Sequence, residues 1–176
     1  MNRNVRRMGR YDDGHPDLYF INLAYGIKEG YYHFIGKGSG RVVYDIGGGK
    51  VVKSARNMRG IAQNLAEYRI ALSDDSGMFA KVTALSGDYR LLVMEKAEPV
   101  MDISSVWDHF HVESNQELYQ VRILHELAER HSLLIHDFGR AVNWGMISGR
   151  PVIVDYGFTS QVRRRFYASK QAGRMR

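Results

Sequence analysis

Short apolar runs broken by glycine fill the first half of the chain, and helical periodicities fill much of the second. Arg41–Ile46 and Lys50–Ser54 are rich in valine and isoleucine and flank Gly47-Gly48-Gly49, a pattern that predicts strand, tight turn, strand. Ile61, Leu65, Tyr68 and Leu72 recur at spacings of four, three and four, which predicts an amphipathic helix from about Arg59 to Ser73. Asp74–Gly77 ends it. Met78–Leu85 and Tyr89–Glu95 then read as two strands around Ser86-Gly87-Asp88, and Ala97-Glu98-Pro99 breaks the pattern. Asn115 is the predicted N-cap of a long helix reaching about His131, with Leu118, Val121, Leu124, Leu127 and Ala128 along its inner stripe. Leu133–Ile135, Asn143–Ile147 and Pro151–Asp155 are short strand-like pieces with a turn at Ser148-Gly149-Arg150. Upstream, the aromatic stretch 11–35 is interrupted by Gly14, Pro16, Gly26 and Gly30 and reads as an irregular lead-in with short helical pieces. The expected class is α+β: a β-rich first half with one helix inserted, then a mostly helical second half.

Composition narrows this picture without changing it. A chain of 176 residues with 44% apolar residues is the size of one folded domain. No stretch approaches the ~20 apolar residues that span a bilayer, and the first residues carry arginines with no apolar signal segment. The expectation is a soluble, non-exported protein without membrane contact, with the cytoplasm as default compartment. Cysteine is absent, which removes disulfides, thiolate metal sites and cysteine nucleophiles together. The net charge of +6 is concentrated at the ends: Arg3, Arg6, Arg7 and Arg10 on one side; Arg163, Arg164, Arg165, Lys170, Arg174 and Arg176 on the other. Residues 11–162 are therefore net negative. Such ends can hold nucleic acid or an acidic partner, but solubilising tails are the commoner use and the preferred reading.

Three groups of residues carry candidate chemistry. Gly36-Lys37-Gly38-Ser39-Gly40-Arg41-Val42 places glycines at alternate positions, which lets backbone amides approach an anion; any glycine-rich hairpin looks similar. It is not a Walker A loop, because Gly49-Lys50 is followed by Val51 rather than serine or threonine and the upstream glycine is missing, nor a dinucleotide fingerprint, because a strand follows it. Lys53 sits in an apolar strand, ordinarily a solvated edge position, but Glu67 on the following helix is placed to hold its ammonium toward phosphate oxygens. The third group is His136-Asp137, Asn143 and Asp155-Tyr156-Gly157. An acid that accepts a hydroxyl proton, with an amide and an acid that hold a divalent metal, suffices for phosphoryl transfer. Taken singly, each reads as a turn cap, a loop amide or a strand end. His15, His33, His109, His111, His125 and His131 show no metal-ligand spacing and read as surface or core residues.

In this order the residues resemble the protein-kinase-like superfamily. Gly36–Val42 resembles its glycine-rich loop, Val52-Lys53 its strand lysine, Glu67 the helix partner, and Met94–Pro99 the hinge that carries adenine. Leu134-Ile135-His136-Asp137 is similar to the catalytic loop, Asn143 to its metal-binding asparagine, and Val154-Asp155-Tyr156-Gly157 to the DFG motif. Asp137-Phe138-Gly139 spells that motif literally, but reading it so leaves Asp155 without a role. The likeness covers about residues 34–160 and is similar in detail to short kinase-like proteins of phages and prophages. The chain departs from the pattern in its G-x-G-x-G loop, in five residues between Asp137 and Asn143, and in having only 19 residues after Gly157.

The resemblance implies a reduced protein-kinase-like α+β fold, with an antiparallel N-lobe sheet plus one helix and a truncated helical C-lobe. Its divisions are a lead-in over 1–33, an N-lobe over 34–96, a reduced C-lobe over 97–162 and a basic tail over 163–176. It implies ATP and Mg²⁺ as cofactors. Gly36, Gly38, Ser39, Gly40, Lys53, Met94 and Glu95 would hold the nucleotide, and Asn143 and Asp155 the metal. Asp137, Lys53 and Glu67 would form the catalytic set of a phosphotransferase of unknown acceptor, working in the host cytoplasm if phage-encoded. The alternative is an inactive pseudokinase-like module that binds a host or viral macromolecule, a protein partner above all.

Overall fold

Strand alternation divides the central sheet between two cores. The computed structural model describes residues 18–167. In it, β1 (His33–Lys37), β2 (Arg41–Gly47), β3 (Lys50–Ala55), β4 (Val82–Leu85) and β5 (Leu91–Glu95) form an antiparallel sheet in the order β1-β2-β3-β5-β4. Val52, Leu91 and Val93 point to one face, where they meet Phe20 and Leu23 of α1 (Leu18–Lys28). Val51, Leu92 and Met94 point to the other, into the main core. Side chains of period two make this split unavoidable. They also place Lys53, in register with Leu92 and two residues from Val51, on the main-core face.

Over 11–35, where an irregular lead-in with short helical pieces is expected, the described residues form one continuous helix, α1, before β1. Phe20, Leu23 and Gly26 are its buried positions, while Tyr19, Ile21 and Tyr25 are exposed, so its apolar residues surround the axis and obscure the helical period. A Cβ on Gly26 would press into the Tyr32 ring, so this glycine seats the helix against the chain entering β1. Residues 11–17 of that stretch lie outside the described residues, as do the basic positions 3–10 and 170–176.

Helix α2 (Met58–Ser73) agrees with the predicted span, and Asn57 caps it by accepting from the Gly60 amide at 3.1 Å. Its deepest face is unexpected. Gly60, Gln63, Asn64, Glu67 and Ile70 are buried, whereas Ile61, Leu65 and Tyr68 are half-buried and Leu72 is exposed. The helix thus turns a largely polar face toward the main-core side of the sheet.

The second half contains α3 (Ser104–Phe110), α4 (Asn115–Leu118), α5 (Arg122–His131) and α6 (Ser160–Tyr167), with a small sheet of β6 (Glu98–Pro99), β7 (Trp144–Ile147) and β8 (Arg150–Ile153). The long helix predicted from Asn115 is broken at 119–121. Ser114, not Asn115, caps α4, its hydroxyl accepting from the Glu117 amide at 3.3 Å. Asn115 instead accepts from Trp107 Nε1 at 3.1 Å and donates to the Gly139 carbonyl at 3.3 Å, which ties α3 to the loop after α5. The apolar stripe survives the break, with Leu118, Leu124 and Leu127 fully buried. Leu133–Ile135 is not a strand: a 3-10 turn over Ile135–Gly139 follows, then another over Ala141–Asn143. The strand expected over Met78–Leu85 is split, residues 78–80 pairing with β8 through Ala80 N to Ile153 O at 3.0 Å and Ile153 N to Met78 O at 2.7 Å. The class is α+β. α6 crosses the expected boundary at 162, so the described part of the basic segment is helical, with Arg163, Arg164 and Arg165 exposed. No helix among the described residues is long and apolar enough to cross a membrane.

Candidate functional site

A cleft of about 880 Å³ opens between the two sheets, within the range of small-molecule sites. Gly36, Gly38, Ser39, Gly40 and Lys53 line one wall, Met94 and Glu95 stand at the chain crossing between the sheets, and Asp137, Asn143 and Asp155 line the facing wall. Residues scattered over 120 positions of sequence thus share one cavity. Glu67 lies behind them, fully buried.

The centre of the site is an ion cluster. Lys53 Nζ lies 2.9 Å from both Glu67 carboxylate oxygens and donates to the Val154 carbonyl at 2.5 Å. Arg41 Nη2 donates to Glu67 Oε1 at 2.9 Å and to Asp155 Oδ1 at 2.6 Å, while its Nη1 reaches Asn64 Oδ1 at 3.3 Å. Glu67 Oε1 also accepts from the amides of Tyr156 and Gly157, at 3.3 and 3.1 Å. One carboxylate on α2 therefore joins two strands of the large sheet to the segment after β8. Asn64 completes the frame by donating to the carbonyls of Tyr89 and Arg90 at 2.9 and 3.1 Å.

Burial disfavours each charge and the neighbours decide the balance. Burial, aided by Arg41, lowers the Lys53 ammonium below its usual range even beside Glu67. Burial also opposes the Arg41 charge, but Glu67 and Asp155 overcome it and raise its pKa further. For Asp155, whose side chain is 47% exposed, the partial burial is outweighed by Arg41 and Lys53, which hold the carboxyl below its ordinary value. Asp137 behaves oppositely: burial pushes its pKa up, Arg140 at 3.8 Å pulls against this, and the Asp155 charge adds to the rise. Two nearby carboxyl groups thus have their proton affinities driven apart.

Asn143 connects these two acids. Its amide nitrogen donates to the Asp137 carbonyl at 2.8 Å, and its own carbonyl accepts from Val154 N at 2.8 Å and Asp155 N at 3.4 Å. The two 3-10 turns, joined at Arg140, take up the five residues between Asp137 and Asn143. Phe138 does not face the cleft; it is buried against Trp144, whose indole donates to the Phe138 carbonyl at 2.7 Å.

The glycines of the loop divide into two kinds. Gly36 and Gly38 have room around them. Gly40 is closed off instead: its carbonyl accepts from Arg56 N at 2.8 Å, and a Cβ there would press on Gln63 and on the Gly60 backbone. Over the loop tip, the Tyr167 hydroxyl of α6 lies 3.1 Å from Ser39 Oγ, with the Arg59 guanidinium against its ring.

Sequence reasoning missed Arg41 and Asn64 as members of the site. Arg41 stands directly after the glycine loop, and Asn64 lies three residues before Glu67 on one helix face; that spacing was the available signal.

A divalent cation held by Asn143 and Asp155 would compete with Arg41 for one of the two Asp155 carboxylate oxygens. Asp155 Oδ1 already carries the Arg41 guanidinium, and among the described residues no three His, Cys, Asp or Glu side chains converge to hold a metal. A scan of protein-family models and a search of curated proteins found no match to the chain.

Proposed function

We propose that the cleft binds a nucleoside triphosphate, ATP by the kinase-like resemblance, and that the chain is a reduced kinase-like phosphotransferase. The observation that carries this reading is the buried Lys53–Glu67 pair at 2.9 Å, set between an open glycine hairpin and the Asp137–Asn143–Asp155 wall of the same cleft. In this reading Gly36, Gly38 and Ser39 face the phosphates, Lys53 neutralises them, and Glu67 fixes Lys53. Met94 and Glu95 border the base. Asp137 receives the proton of the acceptor hydroxyl as its oxygen bonds to the terminal phosphorus. The bond from that phosphorus to the bridging oxygen breaks, and the nucleoside diphosphate departs with the electron pair. A raised Asp137 pKa suits that proton transfer.

The test is calorimetric titration of the full chain with ATP, alongside Lys53→Met and Asp155→Ala. Saturable binding that is weakened at least about tenfold in Lys53→Met supports the site. Absence of binding by the folded wild type rejects it.

A second reading, a pseudokinase-like module that binds a macromolecule, is favoured by one observation: Arg41, Lys53, Glu67 and Asp155 satisfy one another without any ligand. It is supported if Lys53→Met and Asp155→Ala keep biological activity while removal of residues 163–176 abolishes it.

A further inference from the structure

We propose that Arg41 is a resident cation that takes the place of a divalent metal at Asp155, so that nucleotide enters this cleft without one. The inference deepens the nucleotide reading and rests on it for its functional meaning. Its geometric basis is separate. Arg41 Nη2 lies 2.6 Å from Asp155 Oδ1, one of the two oxygens the carboxylate offers a metal. A hexacoordinate Mg²⁺ stands about 2.0–2.1 Å from each oxygen, so guanidinium and metal cannot share that side of the carboxylate.

Arg41 is also not a loose surface arginine that a metal would brush aside. Its side chain is 7% exposed and is gripped by Asn64, Glu67 and Asp155 together. Its backbone is fixed as well: it pairs with Ala55 in the sheet, and its carbonyl accepts from Gly38 N at 2.9 Å. Leaving Asp155 would strip a permanently charged guanidinium of one of its two carboxylate partners inside the protein. The charges are already balanced, Arg41 and Lys53 against Glu67 and Asp155. A divalent ion added to this cluster meets two fixed positive charges and one engaged carboxylate. A guanidinium whose Nη2 bridges Glu67 and Asp155 does what a metal otherwise does for an acidic wall, which is to neutralise it and hold it in place.

The experiment uses the full chain and two probes. In calorimetry with ATP, the wild type should bind with affinities agreeing within about threefold in EDTA and in excess Mg²⁺. Arg41→Ala should weaken about tenfold in EDTA and recover when Mg²⁺ is supplied. A wild type whose affinity rises more than about tenfold on adding Mg²⁺ overturns the inference while leaving the nucleotide reading intact.

The second probe is Mn²⁺ without nucleotide, followed by loss of the free-ion paramagnetic resonance signal. The wild type should leave the signal unchanged, Arg41→Ala should bind the ion, and Arg41→Ala with Asp155→Asn should lose it again. Mn²⁺ bound by the wild type and released by Asp155→Asn alone overturns the inference, as does a folded Arg41→Ala that gains no binding. If Arg41→Ala does not fold, the comparison of wild type with Asp155→Asn still decides. If no ATP binds under either condition, the nucleotide reading fails, and the Mn²⁺ series still tests whether Arg41 holds the metal position.

Discussion

Gly40 and Gly60 meet backbone to backbone: a Cβ on Gly60 would overlap the carbonyl oxygen of Gly40, and one on Gly40 would lie 2.9 Å from the Gly60 amide nitrogen. This contact docks the start of α2 against the root of the glycine loop. It thereby sets the distance between Arg41, one residue after Gly40, and Glu67, two turns along α2. Gly60→Ala should therefore lose about 1–3 kcal/mol in urea denaturation through overpacking, despite the ~1 kcal/mol gained in helix propensity. Gly36→Ala, with open space around its Cβ position, should leave stability within about 0.5 kcal/mol and weaken ATP binding only. Equal destabilisation by both would mean that the loop glycines share one structural role.

Glu67 should be the costliest single position in the cluster. It is fully buried and answers both Lys53 and Arg41. Glu67→Gln keeps the shape but leaves two buried cations facing one half-exposed carboxylate, and breaking buried pairs in this way costs about 3–5 kcal/mol. Chemical denaturation at neutral pH measures it. A loss below about 1 kcal/mol would show that solvent reaches the cluster and screens it.

What was legible in the chain follows from which forces leave a pattern. The β2–β3 hairpin and its glycine turn are visible because alternation and glycine placement are local. The span of α2 is visible for the same reason. Its orientation was not: Ile61, Leu65, Tyr68 and Leu72 mark an apolar stripe, yet Leu72 is exposed and Gln63, Asn64 and Glu67 are buried. Polar residues can be the deepest ones only when their partners come from elsewhere in the chain, and Arg41, Lys53 and Asp155 are 26, 14 and 88 positions away from Glu67. Lys53 and Glu67 were read as a pair, whereas Arg41 was hidden inside a glycine motif that drew attention to its backbone. The break between α4 and α5 was missed because the apolar stripe runs through it, Leu118 and Leu124 being buried on either side.

Acid should loosen the cluster through Asp155. Arg41 and Lys53 hold its carboxyl below the ordinary value of about 3.9. A depressed folded-state value contributes stability that is complete above the unfolded-state value and is lost as pH falls through the folded one. Wild-type stability should consequently decline below about pH 4. In Asp155→Asn that contribution is absent at all pH values, so the decline should be shallower and neutral-pH stability lower. Denaturation midpoints measured over this acid range for both proteins make the comparison. Parallel curves would assign the acid sensitivity to other carboxylates, such as buried Asp74, whose pKa is also lowered.

Asp137 should show the opposite sign. Burial and the nearby Asp155 charge raise its pKa, so the folded state prefers the protonated acid. The stabilisation this gives is complete below the unfolded-state value and vanishes as pH rises through the folded one. Ionising Asp137 is thus a cost the fold carries for its position in the cleft. Asp137→Asn should raise neutral-pH stability by on the order of 1 kcal/mol. It should leave ATP affinity within about threefold and reduce phosphoryl transfer by about 10²-fold or more. Urea midpoints, calorimetry and turnover on the same preparation separate the three effects. A stabilised variant with undiminished transfer would remove Asp137 from the chemistry, and a destabilised one would show that Arg140, 3.8 Å away, contributes more to the fold than burial takes from it.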